Sequence, residues 1–333
     1  MRILVTGHNG YIGSALVPAL WAAGHDVLGL DTFSFDDSAL RRDLLDVEVS
    51  DLSDFDAVIH LAALTHDPLG DIAAERVHAI NHQGAVRLAR TARDAGVGRF
   101  FLASSSSVYG SGGADPLTES APVRPTTAYG VSKARAEEDI ARLADRDFSP
   151  SFLRTATAYG VSTRVRADTL LNNLVCWAHA TGRIRITGDP QAWRPMVHVQ
   201  DIASAFAVAL GATRDALHEQ ALNVGATGEN YQLSELAEIV RHAVPGCSTE
   251  QTTDYEPDTT SCRLDFSKLG RTLPDFKPQW NAVFGAKDLY AALQEAGVTR
   301  DDLHGRKYVD LRSAEVAAGL RTRGRDVAAR WPS

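Results

Sequence analysis

The segment Thr6-Gly7-His8-Asn9-Gly10-Tyr11-Ile12-Gly13 constrains this chain more than any other stretch of it. It follows an apolar run over residues 2–6 and opens a helical pattern over residues 11–23. Glycines at such a strand-to-helix turn have separate uses. Gly7 permits the tight turn, Gly10 lets backbone N–H groups approach a pyrophosphate, and Gly13 allows close packing of helix on strand. The phosphates then sit at the positive end of the helix. Asp31 closes the next apolar run, 18 residues after Gly13. A carboxylate at that distance accepts hydrogen bonds from adenosine ribose hydroxyls and repels a 2′-phosphate, which favours NAD. Arg41 and Arg42 lie nearby and leave NADP open.

The first 160 residues alternate between apolar runs (2–6, 26–31, 57–62, 99–103, 151–155) and helical patterns (11–23, 71–95, 128–144). Continuous apolar strands separated by helices indicate an α/β fold, a doubly wound parallel sheet covered on both faces. Past Gly160 the alternation loosens. Helical patterns recur at 168–181, 202–210, 234–244 and 286–296, with loops at Gly188-Asp189-Pro190 and Tyr255-Glu256-Pro257-Asp258. From Thr299 the chain reads as a peripheral helix with a loose tail ending in Trp331-Pro332-Ser333. Asp36-Asp37 reads as a solvated loop.

A chain of 333 residues buries enough apolar surface to need neither disulfides nor a structural metal. Its three cysteines, Cys176, Cys247 and Cys262, are odd in number and include no C-x-x-C pair. That supports neither a disulfide framework nor a zinc site, and a reducing cytoplasm is the simplest home. No His-Glu-x-x-His spacing occurs, so no metal is expected. The net charge of −8 speaks against a nucleic-acid binder. No apolar stretch reaches the roughly 20 residues of a membrane span, and Ile3-Leu4-Val5 is too short for a signal-peptide core.

Three features carry chemistry. Phe101-Leu102-Ala103-Ser104-Ser105-Ser106-Ser107-Val108-Tyr109-Gly110 ends a strand, Tyr129-Gly130-Val131-Ser132-Lys133 opens a helix, and Asn81 lies on the helix before the serine strand. Tyr129 and Lys133 are four apart, so a helix sets them on one face. A buried ammonium beside a phenol favours the phenolate and draws the tyrosine pKa down from about 10, making Tyr129 a general acid or base. A serine hydroxyl at the carboxyl end of the neighbouring strand can hydrogen-bond the reacting oxygen. Asn81 reads as a helix-bend and water-binding residue, and His60 as a packed strand histidine.

Together these motifs resemble the extended short-chain dehydrogenase/reductase family, in its nucleotide-sugar epimerase/dehydratase branch. The resemblance runs from residue 2 to about 268. It takes in the T-G-x-x-G-x-x-G loop, Asp31, Arg42-Asp43-Leu44, His60-Leu61-Ala62-Ala63, Ser104-Ser105 before Val108-Tyr109-Gly110, and Tyr129-x-x-x-Lys133. Further on come Leu171-Asn172-Asn173-Leu174, Trp193-Arg194-Pro195-Met196-Val197-His198-Val199-x-Asp201, and Leu264-Asp265-Phe266-Ser267-Lys268. It implies a Rossmann-like NAD-binding domain over residues 1–160, with a return segment at about 196–225, and a smaller C-terminal substrate-binding lobe over 161–333.

The resemblance also implies roles. Tyr129 exchanges a proton with a sugar hydroxyl or ketone, Lys133 binds the nicotinamide ribose and tunes Tyr129, and Ser105 rather than Ser104, Ser106 or Ser107 polarises the reacting oxygen. Gly7, Gly10, Tyr11, Ile12, Gly13, Asp31, Asp43, Leu44, Leu61, Ala62, Ala63, Asn81 and Lys133 hold the cofactor. Ser105, Ser106, Thr157, Asn173, Leu174, Arg194 and Arg263 face the nucleotide sugar. A homodimer forms through the helix carrying Tyr129 and the helical pattern at 71–95.

Departures from the family pattern narrow the reaction. The family's 4,6-dehydratases carry Asp-Glu directly after the serine/threonine position, where this chain has Ser106 and Ser107. The acid that expels water is therefore absent, and dehydration is disfavoured. Thr157 stands where many members have asparagine, Pro195 stands where the family has aspartate, and Arg263 is the substitute for a partner arginine near Asp258. The reading is an NAD-dependent nucleotide-sugar epimerase acting by hydride transfer at sugar C4. Three alternatives are a nucleotide-4-ketosugar reductase using NAD(P)H, a reductase of a non-nucleotide substrate, and a non-catalytic dinucleotide-binding sensor or scaffold.

Overall fold

A computed structural model describes residues 1–31, 43–65, 73–113, 115–251, 261–299, 301, 303–304 and 310–311. The expectations for Asp36-Asp37, Arg41, Arg42, the 255–258 loop and the tail ending in Trp331-Pro332-Ser333 lie outside the described residues.

The chain begins in the middle of its main sheet. In order come β1 (Arg2–Thr6), α1 (Gly13–Ala22), β2 (Asp26–Leu30), α2 (Val49–Leu52), β3 (Ala57–His60), α3 (Ala74–His78), α4 (Ala85–Asp94), β4 (Arg99–Ser105), α5 (Ala128–Ala141) and β5 (Ser149–Thr155). The second half holds β6 (Thr157–Tyr159), α6 (Leu170–Thr181), β7 (Arg183–Ile186), β8 (Trp193–His198), α7 (Val199–Gly211), α8 (Arg214–Leu217), β9 (Ala221–Val224), β10 (Asn230–Gln232), α9 (Leu233–Ala243), β11 (Ser248–Gln251), α10 (Ser267–Thr272) and α11 (Ala282–Glu295). Short β12 (Leu303–His304) and β13 (Asp310–Leu311) pair with each other.

The main sheet runs β2-β1-β3-β4-β5-β9, every pair parallel. Side chains alternate between two dry faces. Ile3, Val5, Ile59, Phe101 and Leu153 join one core with residues of α1 and α7. Leu4, Val58, Phe100, Leu102 and Phe152 join another with residues of α4 and α5. Burial on both faces is why these strands read as unbroken apolar runs. Because β1 is flanked by β2 and β3, the connections leave it to opposite sides and open a crevice at the carboxyl ends, where ligands of such sheets bind.

The chain crosses out of this body after β5 and returns to it through α7, packed on α1, and β9, paired with β5. The 3-stranded sheet β10-β8-β6, with α6, α9 and α11, encloses a separate core around Tyr159, Met196, Leu236 and Leu289. Within the expected return at about 196–225, β8 pairs in the smaller sheet while its Val197 side chain joins the larger body's core, which α7 and β9 then complete. The 71–95 pattern is not one continuous α-helix either. Over Ala79–Gly84 the backbone makes a π-helical turn between α3 and α4. Among the described residues no helix is long and apolar enough to cross a membrane.

Candidate active site

The glycine turn is a cradle that side chains would fill. Gly7 has φ +71°, and a Cβ there would stand 2.7 Å from the Ala62 backbone nitrogen. A Cβ on Gly13 would strike the Gly7 carbonyl oxygen and lie 2.6 Å from His8 Cα. At Gly13 the start of α1 thus comes close against the turn that directly follows β1. Gly7 N–H donates to the Leu30 carbonyl at 2.8 Å, which sets the turn beside Asp31 at the end of β2. α1 starts at Gly13, later than the expected residue 11, with no side-chain cap and no acidic residue in its first turn. The backbone amides at its open end suit an anionic pyrophosphate, so these residues fit NAD.

Around the cradle, the other expected cofactor residues have mixed surroundings. Leu61 N–H donates to the Thr6 carbonyl at 3.1 Å, and Ala62 N–H to Thr6 Oγ1 at 3.3 Å, which lays the 61–63 strand exit over the glycine turn. Ala63 is half-buried beside them. Asp43 caps a short 3-10 turn by accepting from Leu45 N–H at 2.9 Å, while the Leu44 side chain is buried in the core. Asn81 is fully buried; its Oδ1 accepts from Leu64 N–H and its Nδ2 donates to the Leu64 carbonyl, both at 2.7 Å. From within the π-helical turn at Ala79–Gly84, which fits its expected place at a helix bend, it clamps the loop beside the cofactor crevice. His60, held by Thr6 Oγ1 at 2.7 Å, is pushed down to about 3 by burial and then by the Lys133 charge, and stays neutral.

The serine run is sorted by strand alternation. Ser104 Oγ donates to Glu137 within the body of the sheet, whereas Ser105 points to the edge. Ser105 Oγ donates to Ser107 Oγ at 3.0 Å and accepts from Ser107 N–H at 3.1 Å, and it acts on the Tyr129 phenol. Ser106 is half-buried. Thr127 caps α5 by accepting from Gly130 N–H at 3.0 Å, which starts the helix just before Tyr129. Lys133, 1% exposed, donates from Nζ to the Ala103 carbonyl at 2.7 Å, and its Nζ lies 5.7 Å from the Tyr129 ring centre.

Burial works against the expected acidification of the phenol. Burial pushes Tyr129 up to about 12, against the opposing pull of the Arg166 charge and the Ser105 hydrogen bond. Lys133 is itself drawn down to about 8 by burial. Desolvation, which depends on how the lobes close, outweighs the one-turn spacing that the sequence displays.

The expected substrate residues follow outward in register. Thr155 stands opposite Ser105, and two residues later Thr157 begins β6, opposite Met196 of β8. Arg194 lies two residues before Met196 and donates from NH1 to the Trp193 carbonyl at 2.9 Å. The Arg263 guanidinium lies 4.9 Å over the Trp193 ring, so both arginines meet at this residue. Asn173 donates from Nδ2 to the Ala167 carbonyl at 3.0 Å, and Leu174 is buried in the smaller lobe's core. His198 and Asp201 of the same motif are fasteners: the His198 ring stacks on Trp280 at 3.9 Å, and Asp201 accepts from the Gln279 and Trp280 amides at 2.9 and 3.1 Å.

Sequence reading missed Arg166. Its NH1 donates to Thr65 Oγ1 at 2.8 Å, it is paired with Asp168, and its charge acts on Tyr129. Nothing in an Arg-x-Asp triplet announces a contact 101 residues away. His78 and His82 are four apart with ring nitrogens 3.4 Å from each other. His82 Nε2 is taken up by Asp139 Oδ2 at 2.6 Å, and among the described residues no group of three His, Cys, Asp or Glu could hold a metal ion.

This crevice belongs to an enzyme that borrows a dinucleotide's redox chemistry to work on a hydroxyl or a carbonyl. Residues 3–225 match the model of the NAD dependent epimerase/dehydratase family. The chain belongs to that family, and it is an NAD-dependent enzyme acting on nucleotide sugars. It is similar to the UDP-glucose 4-epimerase of Mycolicibacterium smegmatis, 32% identical over 84% of this chain and 94% of that protein. It is also similar to the UDP-glucose 4-epimerase of Bacillus subtilis, 29% identical over 87% and 95%. Among solved structures, MoeE5 in complex with UDP-glucose and NAD is 28% identical, with a TM-score of 0.75 over 87% of this chain and 98% of that one.

Proposed function

We propose that the chain is a UDP-sugar 4-epimerase that keeps one NAD through repeated turnovers. The observation that carries this reading is buried Lys133, anchored on the Ala103 carbonyl at 2.7 Å with Nζ 5.7 Å from the Tyr129 ring centre, while Ser105 follows Ala103 by two residues at the carboxyl end of the same strand. It sets one proton-exchanging group and one hydroxyl at the same point, as reaction at a single sugar oxygen requires. NAD, held by the cradle of Gly7, Gly10 and Gly13 with Asp31 at its ribose, supplies a hydride acceptor that also returns the hydride.

Tyr129 takes the proton of the sugar O4 as that carbon becomes a ketone, and Ser105 hydrogen-bonds the same oxygen. The proton goes back when the opposite face of the ketone is reduced, so no atom is gained or lost overall. Burial disfavours the phenolate that the first step needs. Arg166 and Lys133 are the cations placed to let it serve as a base. Arg194 and Arg263, gathered at Trp193, offer positive charge to a diphosphate. Ser106 and Ser107 in place of an acid pair support epimerisation over loss of water. The reading extends to a cytoplasmic homodimer formed through α5 and the helical stretch of 71–95 that holds α3 and α4, and sedimentation equilibrium tests the dimer.

The deciding experiment is a paired assay. The purified protein is denatured and its released nucleotide measured, and the native protein is given UDP-glucose and UDP-galactose separately. About one NAD per chain and interconversion of the two sugars without added cofactor are expected. Protein that releases no nucleotide and consumes NADPH stoichiometrically with a 4-ketosugar would instead be a reductase.

A further inference from the structure

α5 carries a third ionisable group in line with the two already described. Tyr129, Lys133 and Glu137 follow at four-residue steps and lie along one face of the helix. Lys133 is buried, and its acceptor, the Ala103 carbonyl, is neutral. A buried ammonium without an opposite charge gives up its proton. The groups acting on it come from four elements: neutral His60 from β3, the Ala103 carbonyl from β4, Tyr129 and Glu137 from α5, and Arg154 of β5 behind Glu137. The carboxylate that acts on Lys133 is Glu137.

Glu137 is fixed from both neighbouring strands. Ser104 Oγ of β4 donates to its Oε1. Arg154 Nε donates to both carboxylate oxygens at 3.0 Å, and NH2 donates to Oε2 at 2.6 Å. Arg154 is held in turn: its NH1 donates to the Tyr109 hydroxyl at 2.9 Å, and that hydroxyl donates to Asn223 Oδ1 at 2.7 Å. Ser104, Glu137 and Arg154 are all buried. This set of desolvated charges reaches the same buried face of α5 as Lys133, one turn from it, and buried ion pairs add little net stability.

We propose that Glu137 is a positioning residue of the reaction centre: pinned by Arg154 and Ser104, it keeps Lys133 an ammonium and so sets the pH range over which Tyr129 trades its proton. This rests on the roles given to Tyr129 and Lys133 in the proposed reaction, and goes beyond them by naming what holds the lysine's charge.

The test reads Lys133 itself. The full chain is labelled at lysine Cε, stripped of nucleotide, and titrated by NMR, with Lys133→Met assigning the signal. The wild-type midpoint is expected near 8. Glu137→Gln should lower it by about one pH step, a tenfold loss of proton affinity. Glu137→Asp, which keeps the charge on a shorter arm, should lower it less. The alkaline limb of kcat/KM should move toward neutral in the same order. An unmoved midpoint in a folded Glu137→Gln protein overturns the proposal. If that variant does not fold, an unmoved midpoint in Glu137→Asp overturns it. The titration needs no turnover, so shifted midpoints in a chain without epimerase activity refute the reaction and not this role. Full activity with unmoved midpoints does the reverse.

Discussion

The hydroxyl of Tyr11, in the glycine turn, donates to the backbone carbonyl of Gly160 at 2.6 Å, 149 residues further along the chain. The same hydroxyl accepts from Asn172 Nδ2 at 3.1 Å, and Asn172 Oδ1 accepts from Gly160 N–H at 2.9 Å. The cofactor cradle and the entry to α6 are thereby joined by one closed set of buried hydrogen bonds. A residue expected only to touch the cofactor spends its polar end on the smaller lobe.

Tyr11→Phe should therefore act on stability first. It removes the short donor to the Gly160 carbonyl, which keeps only the 3.5 Å contact from Asn172 Nδ2, while that amide still donates to the Arg166 carbonyl at 2.9 Å; the loss is about 1–3 kcal/mol. The expected readout is a melting temperature lower by a few degrees, with NAD affinity changed much less. Weakened NAD binding at an unchanged melting temperature would show that the hydroxyl faces the cofactor after all.

Tyr129→Phe keeps the ring and removes the proton carrier. Turnover of the UDP-sugar should fall by about 10²–10⁴-fold, while nucleotide still co-purifies with the protein. Isothermal titration with UDP should report near-normal binding. Turnover within a few-fold of wild type would remove Tyr129 from the reaction.

Gly29 and His8 form a matched pair. A Cβ on Gly29 would come within 2.5 Å of the His8 ring at Nδ1. Gly29→Ala should cost about 1–3 kcal/mol by overpacking and should weaken NAD binding by displacing the turn. The double variant His8→Ala with Gly29→Ala should recover much of that loss, because the clash is gone. Chemical denaturation of the four proteins in a cycle measures the coupling. Additive losses would mean that the ring moves aside freely.

Asp201 gives a pH dependence of known sign. Burial, joined by repulsion from Glu229, lifts its pKa to about 6, against the pull of the Gln279 and Trp280 amides. Its folded value lies above the unfolded one, so the folded chain binds this proton more tightly. Asp201 thus lowers stability fully above about pH 6, and this cost fades as pH falls toward 4. The full difference is on the order of 3 kcal/mol. Urea denaturation should find wild type gaining on Asp201→Asn between pH 7.5 and pH 5. A gap independent of pH would mean that Asp201 is not desolvated in solution.

What sequence reveals here depends on how near in the chain the cooperating groups lie. The strands β1 to β5 are legible because burial on both faces leaves uninterrupted apolar runs, and the cradle because its glycines are neighbours. Tyr129 and Lys133 are legible because a helix turns four residues into one face. Ser105 can be told from Ser104 by the two-residue period of β4. β6, β7 and β8 are short and mixed in polarity, and nothing in their local pattern separates them from loop. Arg166 and the Tyr11–Gly160 bond join segments more than a hundred residues apart. The opposing pull of burial on the phenol escapes the sequence for the same reason: spacing shows who is near, whereas solvent exclusion comes from the whole fold.

The π-helical turn at Ala79–Gly84 makes chain length itself a requirement. Each residue added to or taken from a helix rotates everything beyond it by about 100°. The extra residue in this turn lets Asn81 aim at Leu64 while Val86, Leu88 and Ala89 still meet the core behind the sheet. Taking one residue out of this turn would close it to an ordinary α-turn with α3 and α4 still in phase, and what would be lost is the aim of Asn81 at Leu64. A one-residue deletion here would therefore spare the core behind the sheet and loosen the loop beside the cofactor crevice.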